Sequence, residues 1–491
     1  MGLFDLFVWY RVWIEVIENG HSMKRQILLF LVFGLPFIAC GQNSPLQLSL
    51  EEALQMANRS NLSLNIARQR VEMAKADSRT LNSLWYPTVL ITGEYTHSTT
   101  PIEAVTTLGE IGGELLDNLG AITGNNPLLA GLIEGVEGSS LRLPLVPRNT
   151  AEVGAEVAWT VFSGGRRVVA TKIANQMVEL ANQGAISTAN SIMASVVASY
   201  MGVELAERLL EVRQHSYSLL GEHLREARRL ESEGMITHAE RVAAEVAHKQ
   251  SGVLLTSVQG DLEVAQLTLS TLLAIDSLTI IPTTPLCLPS NIPTKEELLM
   301  QLEGSPTLSS LRGIRNVASL KLQAERSRYL PSIALIGHQQ LWSSGLDKNL
   351  FPRTFVGVGL SWTLFDGLSR ESAIASSKSA LRSSQMTQEN TQRELHTAID
   401  KYYSIMTTSL GEYKVQQATV DLAEELLRMR HKAFVEGVAT SVEVVDATHT
   451  LSEARLAALA SLYTINTSLA TLLMLVGKAD TFTDYFIQTT P

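Results

Sequence analysis

Two carboxylates, Glu443 and Asp446, are the side chains whose spacing is most suggestive of chemistry. They are three positions apart and fall in the first turns of a predicted helix, so they share one face of it. Carboxylates at this place interact favourably with the partial positive charge of a helix N-terminus, or they lie on a solvated face. The residues alone leave both interpretations open.

The sequence contains no arrangement of residues that is typical of catalysis. Its ten histidines are scattered without the spacing of metal ligands. It has neither a phosphate-binding glycine loop nor a nucleophile elbow. His223, His238 and His248 fall near one another on predicted long helices, where we expect them at the surface. We therefore predict a protein that is not an enzyme and that needs no cofactor and no metal.

Composition and charge exclude several other classes of protein. A formal net charge of −10 argues against nucleic acid as a partner, because nothing would offset phosphate repulsion. A hydrophobic fraction of 45% is too high for a disordered chain. The two cysteines, Cys40 and Cys287, cannot form a disulfide framework. No apolar run of about 18 residues follows the N-terminal region, so a bundle of transmembrane helices is not expected.

The N-terminal 41 residues are interpreted as an upstream extension and a secretory signal. A basic stretch at 23–25 precedes an apolar run of about 13 residues at 27–39, which is too short to span a bilayer. Two cleavage schemes remain open. Cys40 could be lipidated as the first mature residue, or Ala39 and Gly41 could belong to an ordinary signal-peptidase site that leaves Gln42 first. Either scheme exports the protein from the cytoplasm.

The mature chain is an internal duplication. The segment Trp-Thr-Val-Phe-Ser-Gly at 159–164 matches Trp-Thr-Leu-Phe-Asp-Gly at 362–367, and Glu-Gly at 233–234 matches Glu-Gly at 436–437, both with an offset of 203. Pro87 and Pro331 are 244 residues apart, so the first half carries about 41 extra residues before its tryptophan motif. Each half predicts a helix, two strands joined by a loop, and two long helices joined at a glycine.

The predicted helices are unusually long. Capping-box patterns at 49–52 and 294–297 begin the first helix of each half. About 69 residues separate Gly165 from Glu233, which corresponds to ~100 Å of helix and is typical of a rod or a tube. Apolar side chains recur at steps of three and four, as in packed coiled-coil-like helices; the clearest row is Leu462, Ile465, Leu469, Leu472 and Val476.

Short strands with alternating polarity precede the long helices. Segments of about ten residues with apolar side chains on one face are typical of outer-membrane barrels. The alternative is an ordinary two-sided sheet in a soluble protein. The small residues Gly357, Gly359 and Ser361 lie on the face opposite the apolar one. The side chains predicted to face lipid are Val157, Trp159, Val356, Val358, Leu360 and Trp362.

Four strands per chain require an oligomer if the strands lie in a membrane. Four strands cannot close a barrel, and an open strand edge cannot lie in lipid. Two chains would supply eight strands, whose interior would be filled by side chains. Three chains would supply twelve strands with room for a channel, and the small residues at 357–361 favour this larger assembly.

Together these motifs resemble the TolC family of outer membrane efflux proteins over residues 46–477. The resemblance is carried by Leu-Glu-Glu-Ala-Leu at 50–54, the proline after the first helix of each half, Trp-Thr-x-Phe-x-Gly before each long helix, and Gly437 followed by 441–448. It implies a mainly α fold, in which a homotrimeric twelve-stranded outer-membrane β-barrel continues into a periplasmic α-helical barrel. It also implies a passive exit duct of a tripartite efflux or type I secretion system, joined to an inner-membrane transporter by a periplasmic adaptor protein.

The resemblance further implies roles for residues at the helix turns. Glu443 and Asp446 would face the narrow pore entrance, where threefold symmetry makes rings of six charges that favour cations. Some relatives carry Tyr and Arg where Phe434 and Ala439 stand, so a closed state held by those two groups is not expected here. The periplasmic tips that contact the adaptor would be Gly234, Met235, Ile236 and Thr237, and Gly437, Val438, Ala439 and Thr440.

We expect the chain to be divided at the motifs described above. The long insertion at 99–150 should be an enlarged extracellular loop. The alternative function is a soluble periplasmic coiled-coil scaffold without channel activity. The expected segments are the signal region 1–41; the first repeat with helices 42–87, hairpin 88–163 and long helices 164–280; the linker 281–293; the second repeat with helix 294–331, hairpin 332–366 and long helices 367–477; and the tail 478–491.

Overall fold

A computed structural model of the chain describes residues 46–100, 102–107, 140–146, 148–275, 279–345 and 352–486. The predicted signal segment, Cys40 and most of the 99–150 insertion lie outside these residues. Within the described ranges the chain forms eight α-helices and eight β-strands, arranged in two similar halves.

The helices of the two halves correspond in length and spacing. α3 and α7 each have 67 residues, α4 and α8 each have 36, and α2 and α6 each have 21. At 1.5 Å per residue, α3 and α7 are about 100 Å long, as predicted. The helices are α1 Leu50–Ser60, α2 Leu62–Asn82, α3 Arg166–Ser232, α4 His238–Leu273, α5 Lys295–Leu302, α6 Pro306–Arg326, α7 Ser369–Val435 and α8 Ser441–Val476.

Local signals in the sequence set the ends of these helices. The Glu52 backbone N–H donates to Ser49 Oγ at 3.3 Å and the Ser49 N–H donates to the Glu52 carboxylate at 2.9 Å, which confirms the predicted capping box. Thr294 forms the same box at the start of α5. Gly234 and Gly437 both have φ of +74°, a left-handed conformation that lets α3 and α7 turn into the next helix.

The strands form one four-stranded antiparallel sheet and two small pairs. The sheet has the order β2-β5-β7-β8, so β2 and β8 are its edges. β3 and β4 form a hairpin at the base of the first-half insertion, and β1 lies parallel to β6. The strands are β1 Leu46–Leu48, β2 Thr88–His97, β3 Ile102–Thr107, β4 Ser140–Val146, β5 Asn149–Phe162, β6 Ile280–Pro282, β7 Ser332–Ser344 and β8 Thr354–Ser361.

The main hydrophobic core lies halfway along the long helices. It is centred on 192–203 of α3 and 399–406 of α7, where the far ends of α4 and α8 and the starts of α5 and α6 meet. The fully buried Tyr200 ties this region together. Its hydroxyl donates to the Leu48 carbonyl at 2.8 Å and accepts from the N–H groups of Thr283 and Thr284 at 3.0 and 2.9 Å. The first strand and the linker are therefore held against the middle of α3.

Two long helices are apolar enough to cross a membrane by length and composition. Each of α3 and α8 contains such an 18-residue window, of which 44% and 56% respectively is buried within the protein. In α8 the predicted row of apolar side chains from Leu462 to Val476 is buried against its neighbours. The apolar character of these helices therefore matches their packing seams, as in the core helix of a soluble domain.

The helices lie on the same two sides of the chain as the edge strands of the sheet. Near the sheet, α2 packs on α3, α3 on α6 and α6 on α7; farther away the order is α4, α3, α8 and α7. One side of the subunit therefore carries β2, α2 and α4, and the other carries β8 and α7. Large apolar side chains are exposed along both sides, among them Val253 and Val264 of α4 and Val415 and Leu422 of α7. The described part of the chain is therefore a slab whose sheet has two edge strands without a second strand partner.

Candidate functional site: the sheet faces and the helical tips

One face of the four-stranded sheet is apolar across all four strands. The register places Val157 beside Val356 through Gly337. It likewise joins Trp159 to Val358 through Leu335. The predicted lipid-facing strand residues therefore share this face, and Val356 is 82% exposed. The apolar face consists of Val89, Ile91, Tyr95, Val157, Trp159, Leu335, Val356, Val358 and Leu360.

The opposite face of the sheet is mixed and carries its acidic side chains. Glu94 of β2 lies directly opposite Glu152 of β5, an arrangement of like charges that is unfavourable unless water surrounds it. His338 Nε2 lies 3.0 Å from Glu152 Oε1, and the Thr92 hydroxyl donates to Glu156 at 3.3 Å. Alternation in the sequence predicts the two-faced sheet, but the pairing of these carboxylates depends on strand register.

A duplicated tryptophan contact joins the sheet to the helices. The Trp159 indole N–H donates to the Trp85 carbonyl at 3.0 Å, and the Trp362 indole N–H donates to the Tyr329 carbonyl at 3.0 Å. Trp362 lies just beyond the end of β8. Each tryptophan motif therefore fixes the end of a strand to the turn that follows α2 or α6.

An arginine completes each junction, and the sequence analysis did not identify it. Arg167 lies 4.6 Å from the Trp85 ring centroid, and Arg370 lies 4.7 Å from that of Tyr329. The buried Arg370 also donates to the carbonyls at 363 and 364 at 2.9 and 2.8 Å and pairs with Asp366 at 3.3 Å. Both arginines follow their tryptophan by eight residues, and this shared spacing was the available signal.

The two helical turns have the same construction. Thr237 accepts a hydrogen bond from the Glu240 N–H at 3.3 Å, and so caps α4. Thr440 caps α8 in the same way, through the Glu443 N–H at 3.4 Å. Ile236 and Ala439 pack inward, whereas Met235 and Val438 are exposed. Each turn, which also contains Gly234 or Gly437, therefore presents one apolar side chain to its surroundings.

The structure distinguishes the two carboxylates of the acidic pair. Glu443 accepts a hydrogen bond from the Thr440 hydroxyl at 3.3 Å and forms an ion pair with Arg430 of α7. Asp446 is exposed, and its carboxylate has no partner within the described part of the chain. Both lie away from the buried row that contains Val444 and Ala447. Glu443 therefore stabilises the start of α8, and Asp446 is the unpaired charge.

His223 is buried, so the expectation of a surface position is wrong for this residue. It is 1% exposed, with Nε2 at 2.8 Å from Ser441 Oγ and its ring centroid 4.6 Å from that of Phe434. Burial lowers the pKa of His223 to about 4. His238 is exposed as expected. The spacing of apolar residues along α3 did not predict this burial, because the residues that bury His223 belong to α7 and α8.

The cavities are open grooves between helices. One groove, of about 560 Å³, lies between α2 and α3 and has mostly apolar walls. A groove of about 400 Å³ between α3, α7 and α8 is lined by charged side chains that include Arg428 and Arg455. Among the described residues, no group of three His, Cys, Asp or Glu side chains is placed to hold a metal ion.

Comparison with known proteins is consistent with these features. Residues 300–478, which make up the second repeat from α5 to the end of α8, match the family model described as outer membrane efflux protein. The second half of the chain is therefore similar in sequence to outer membrane efflux proteins. No curated protein sequence matches this chain.

Solved structures confirm the fold of this chain. The outer membrane protein VceC from Vibrio cholerae superimposes with a TM-score of 0.71 at 14% identity, covering 87% of this chain and 96% of VceC. CusC gives 0.70 at 15% identity, with 87% and 91% covered. The CmeC outer membrane channel of Campylobacter jejuni gives 0.70 at 14% identity, with 88% and 86% covered. The long helices and the sheet of this chain therefore adopt the outer-membrane-channel fold.

We expect Arg370→Ala to destabilise the protein at the junction between sheet and helices. The substitution leaves Asp366 without its cation and two strand-end carbonyls without a donor. Removing one partner of a buried ion pair typically costs ~3–5 kcal/mol. The melting temperature of the purified protein measures the loss.

The matched control is Arg382→Ala. Arg382 is an exposed arginine of the same helix and makes no ion pair within the described residues. Its removal should leave the melting temperature unchanged. Equal melting temperatures for the two variants would contradict the assigned role of Arg370.

Proposed function

We propose that this chain is one of three identical subunits of an outer-membrane exit duct. Three four-stranded sheets would close into a twelve-stranded barrel, and the long helices would continue as a tube into the periplasm. The observation that carries this proposal is a sheet with one apolar face and two unpaired edges, joined directly to helices about 100 Å long. Unpaired strand edges are not tolerated in lipid, so neighbouring subunits must pair β8 with β2.

The apolar face of the sheet would contact lipid. Val157, Trp159, Val356, Val358 and Leu360 lie on it, and all five are exposed in the described part of the chain. The indole of Trp362, at the strand–helix junction, would lie near the periplasmic membrane interface, where amphipathic rings are favoured. A soluble scaffold would leave this whole surface in water, which disfavours that alternative.

The position of the sheet in the membrane is tested by a matched pair of charged substitutions. Val358→Arg puts a cation on the apolar face near the middle of β8, which costs ~2–4 kcal/mol in a membrane barrel. Gly357→Arg puts the same charge on the polar face, where a water-filled lumen tolerates it. We expect fractionation to recover the wild type and Gly357→Arg in the outer membrane, with Val358→Arg depleted there. Wild-type protein in the soluble periplasm would contradict the proposal.

The duct would be passive and would rely on partners for energy. An inner-membrane transporter would supply the energy, and a periplasmic adaptor would contact the tips at Gly234–Thr237 and Gly437–Thr440. Support comes from Met235 and Val438, which are exposed at equivalent places in the two turns and give a trimer six similar apolar contacts. The same duct could serve tripartite efflux or type I secretion.

We infer that Asp446 contributes more to cation preference at the entrance than Glu443 does. The charge of Glu443 is offset by Arg430, whereas Asp446 is unpaired among the described residues. A threefold axis would repeat both carboxylates into rings at the periplasmic end. Negative rings in a narrow pore favour cations.

The inference predicts unequal effects on ion selectivity in planar bilayers. Asp446→Asn should shift the reversal potential under a salt gradient toward that of a non-selective pore, and Glu443→Gln should shift it less. Glu436→Gln, which removes an exposed carboxylate just before the second turn, is the control with wild-type selectivity. An unchanged reversal potential in Asp446→Asn would contradict the inference that Asp446 contributes to cation preference.

Geometry favours ordinary signal cleavage over lipid attachment at Cys40. Tyr200 lies 34 residues along α3 from Arg166, or about 51 Å from its sheet end. Tyr200 holds Leu48 by a hydrogen bond of 2.8 Å. Eight residues separate Cys40 from Leu48, and they span at most about 28 Å. A lipid on Cys40 would therefore fall about 20 Å short of the membrane that holds the barrel.

The N-terminus of the purified protein tests this inference. We expect intact-mass measurement to find a mature chain that begins near Gln42 without a diacylglycerol adduct. The Cys40→Ser variant should reach the outer membrane at wild-type levels. A lipid-modified Cys40, lost together with membrane localisation in Cys40→Ser, would contradict the inference.

A further inference from the structure

A small apolar cluster holds the ends of the two helical hairpins together. This tip cluster is separate from the main core and is about 30 Å from it along α3, counted from Val203 to Leu224. It draws side chains from α3, α4, α7 and α8. Its members are Leu224, Ala227, Leu230, Ala244, Phe434 and Val444.

His223 is the polar side chain that links the three helices at this cluster. It projects from α3, contacts the Phe434 ring of α7 and shares a 2.8 Å hydrogen bond with the hydroxyl of Ser441, the first residue of α8. Phe434 and Ser441 are fully buried, and His223 is nearly so. The other ring nitrogen, Nδ1, is buried without a hydrogen-bond partner. The site therefore fits a neutral imidazole.

Among the described residues, no carboxylate is paired with the His223 ring. Burial lowers the pKa of His223, and so does His431 of α7, which repels a second cation when it is protonated. Most charged groups near the tips are paired with one another, and the unpaired Asp446 is exposed to water; the pairs are Glu222 with Arg225 and Glu226 with Arg229 on α3, Arg241 with Glu231 and Glu245 at the start of α4, Glu424 with Arg455 between α7 and α8, and Glu443 with Arg430.

We propose that His223 makes the packing of the two hairpin tips acid-labile, so that its protonation expels the ring from the tip cluster and separates α3 from Phe434 and Ser441. A protonated ring would bury an unpaired charge and an N–H donor without an acceptor. Because the tip cluster is remote from the main core, its opening leaves the middle of the subunit intact. The statement that the opened tips border the channel entrance rests on the proposed function. The acid-lability of the tips is independent of that function.

The sign of the pH dependence follows from the two states of His223. In the packed cluster its pKa is about 4, whereas a released imidazole has its ordinary pKa of about 6.5. The separated state therefore binds the proton more tightly, and the packed state is fully favoured only above about pH 6.5. Between these two values, each unit of acidification shifts the equilibrium toward separation by up to about tenfold per chain.

Hydrogen–deuterium exchange on the purified full-length oligomer measures this equilibrium. Peptides covering 220–230 and 434–448 report the tips, and a peptide covering 192–203 reports the main core. After correction for the intrinsic pH dependence of exchange, the tips should lose protection about tenfold per unit below pH 6.5, while the core stays protected. Tip protection that is constant from pH 7.5 to 4.5 would overturn the proposal.

Variants separate the role of His223 from general acid sensitivity. His223→Gln keeps a side chain able to bond Ser441 but cannot be protonated, so its tip protection should be independent of pH. His223→Leu keeps an apolar cluster and should also be insensitive, which covers the case in which glutamine packs poorly. His238→Gln removes an exposed histidine near the turn and should retain the wild-type response. A wild-type response in both His223 variants would overturn the proposal.

Bilayer recordings then test the connection with the channel. Acid should expose the tips in the exchange experiments and should also raise the open probability of the wild type but not of His223→Gln. That result would show that the His223 contact controls the channel entrance. If exchange shows the acid response but no pore forms at any pH, the proposed function is contradicted, whereas the acid-labile packing of His223 is supported.

Discussion

A sheet edge with unpaired backbone groups is the constraint on which the rest of this structure depends. Within the described residues, β2 and β8 each leave a row of N–H and C=O groups without partners, and one face of the sheet is mostly apolar. Lipid suits the apolar face and does not tolerate the edges, so the chain requires neighbours that continue the sheet. α4 and α7 carry exposed apolar side chains on the same two sides. In the proposed duct, one assembly would therefore close both the barrel and the helical tube.

The junctions transmit the geometry of the sheet to the helices. Trp159 and Trp362 bind the turns that follow α2 and α6, and Arg167 and Arg370 stack on the rings of those turns. Because both halves use the same contacts, the long helices α3 and α7 leave the sheet in equivalent ways. Farther along, the core around Tyr200 clamps the helices at mid-length, and the tip cluster is the last contact between the hairpins. This leaves the tips as the part least supported by the core.

Much of the fold was predictable because its signals are local or repeated. The 203-residue offset fixed the equal lengths of α3 and α7, and glycines and capping residues marked where they end. The burial of His223 was not predictable, because Ser441 follows it by 218 residues and depends on how two hairpins pack. The same holds for Glu443, whose partner Arg430 lies on another helix. Periodicity identifies faces of one element, whereas these roles arise between elements.

Closure of the sheet by neighbouring subunits is tested most directly by disulfide cross-linking of its edges in intact cells. Chains would carry one cysteine at a position of β2 and one at a position of β8, scanned along 88–97 and 354–361. Oxidation of the matching pairs should give a covalent ladder that ends at three chains, whereas pairs between the adjacent strands β5 and β7 should link only within one chain. A ladder that stops at two chains, continues beyond three or never forms would contradict a barrel closed by three subunits.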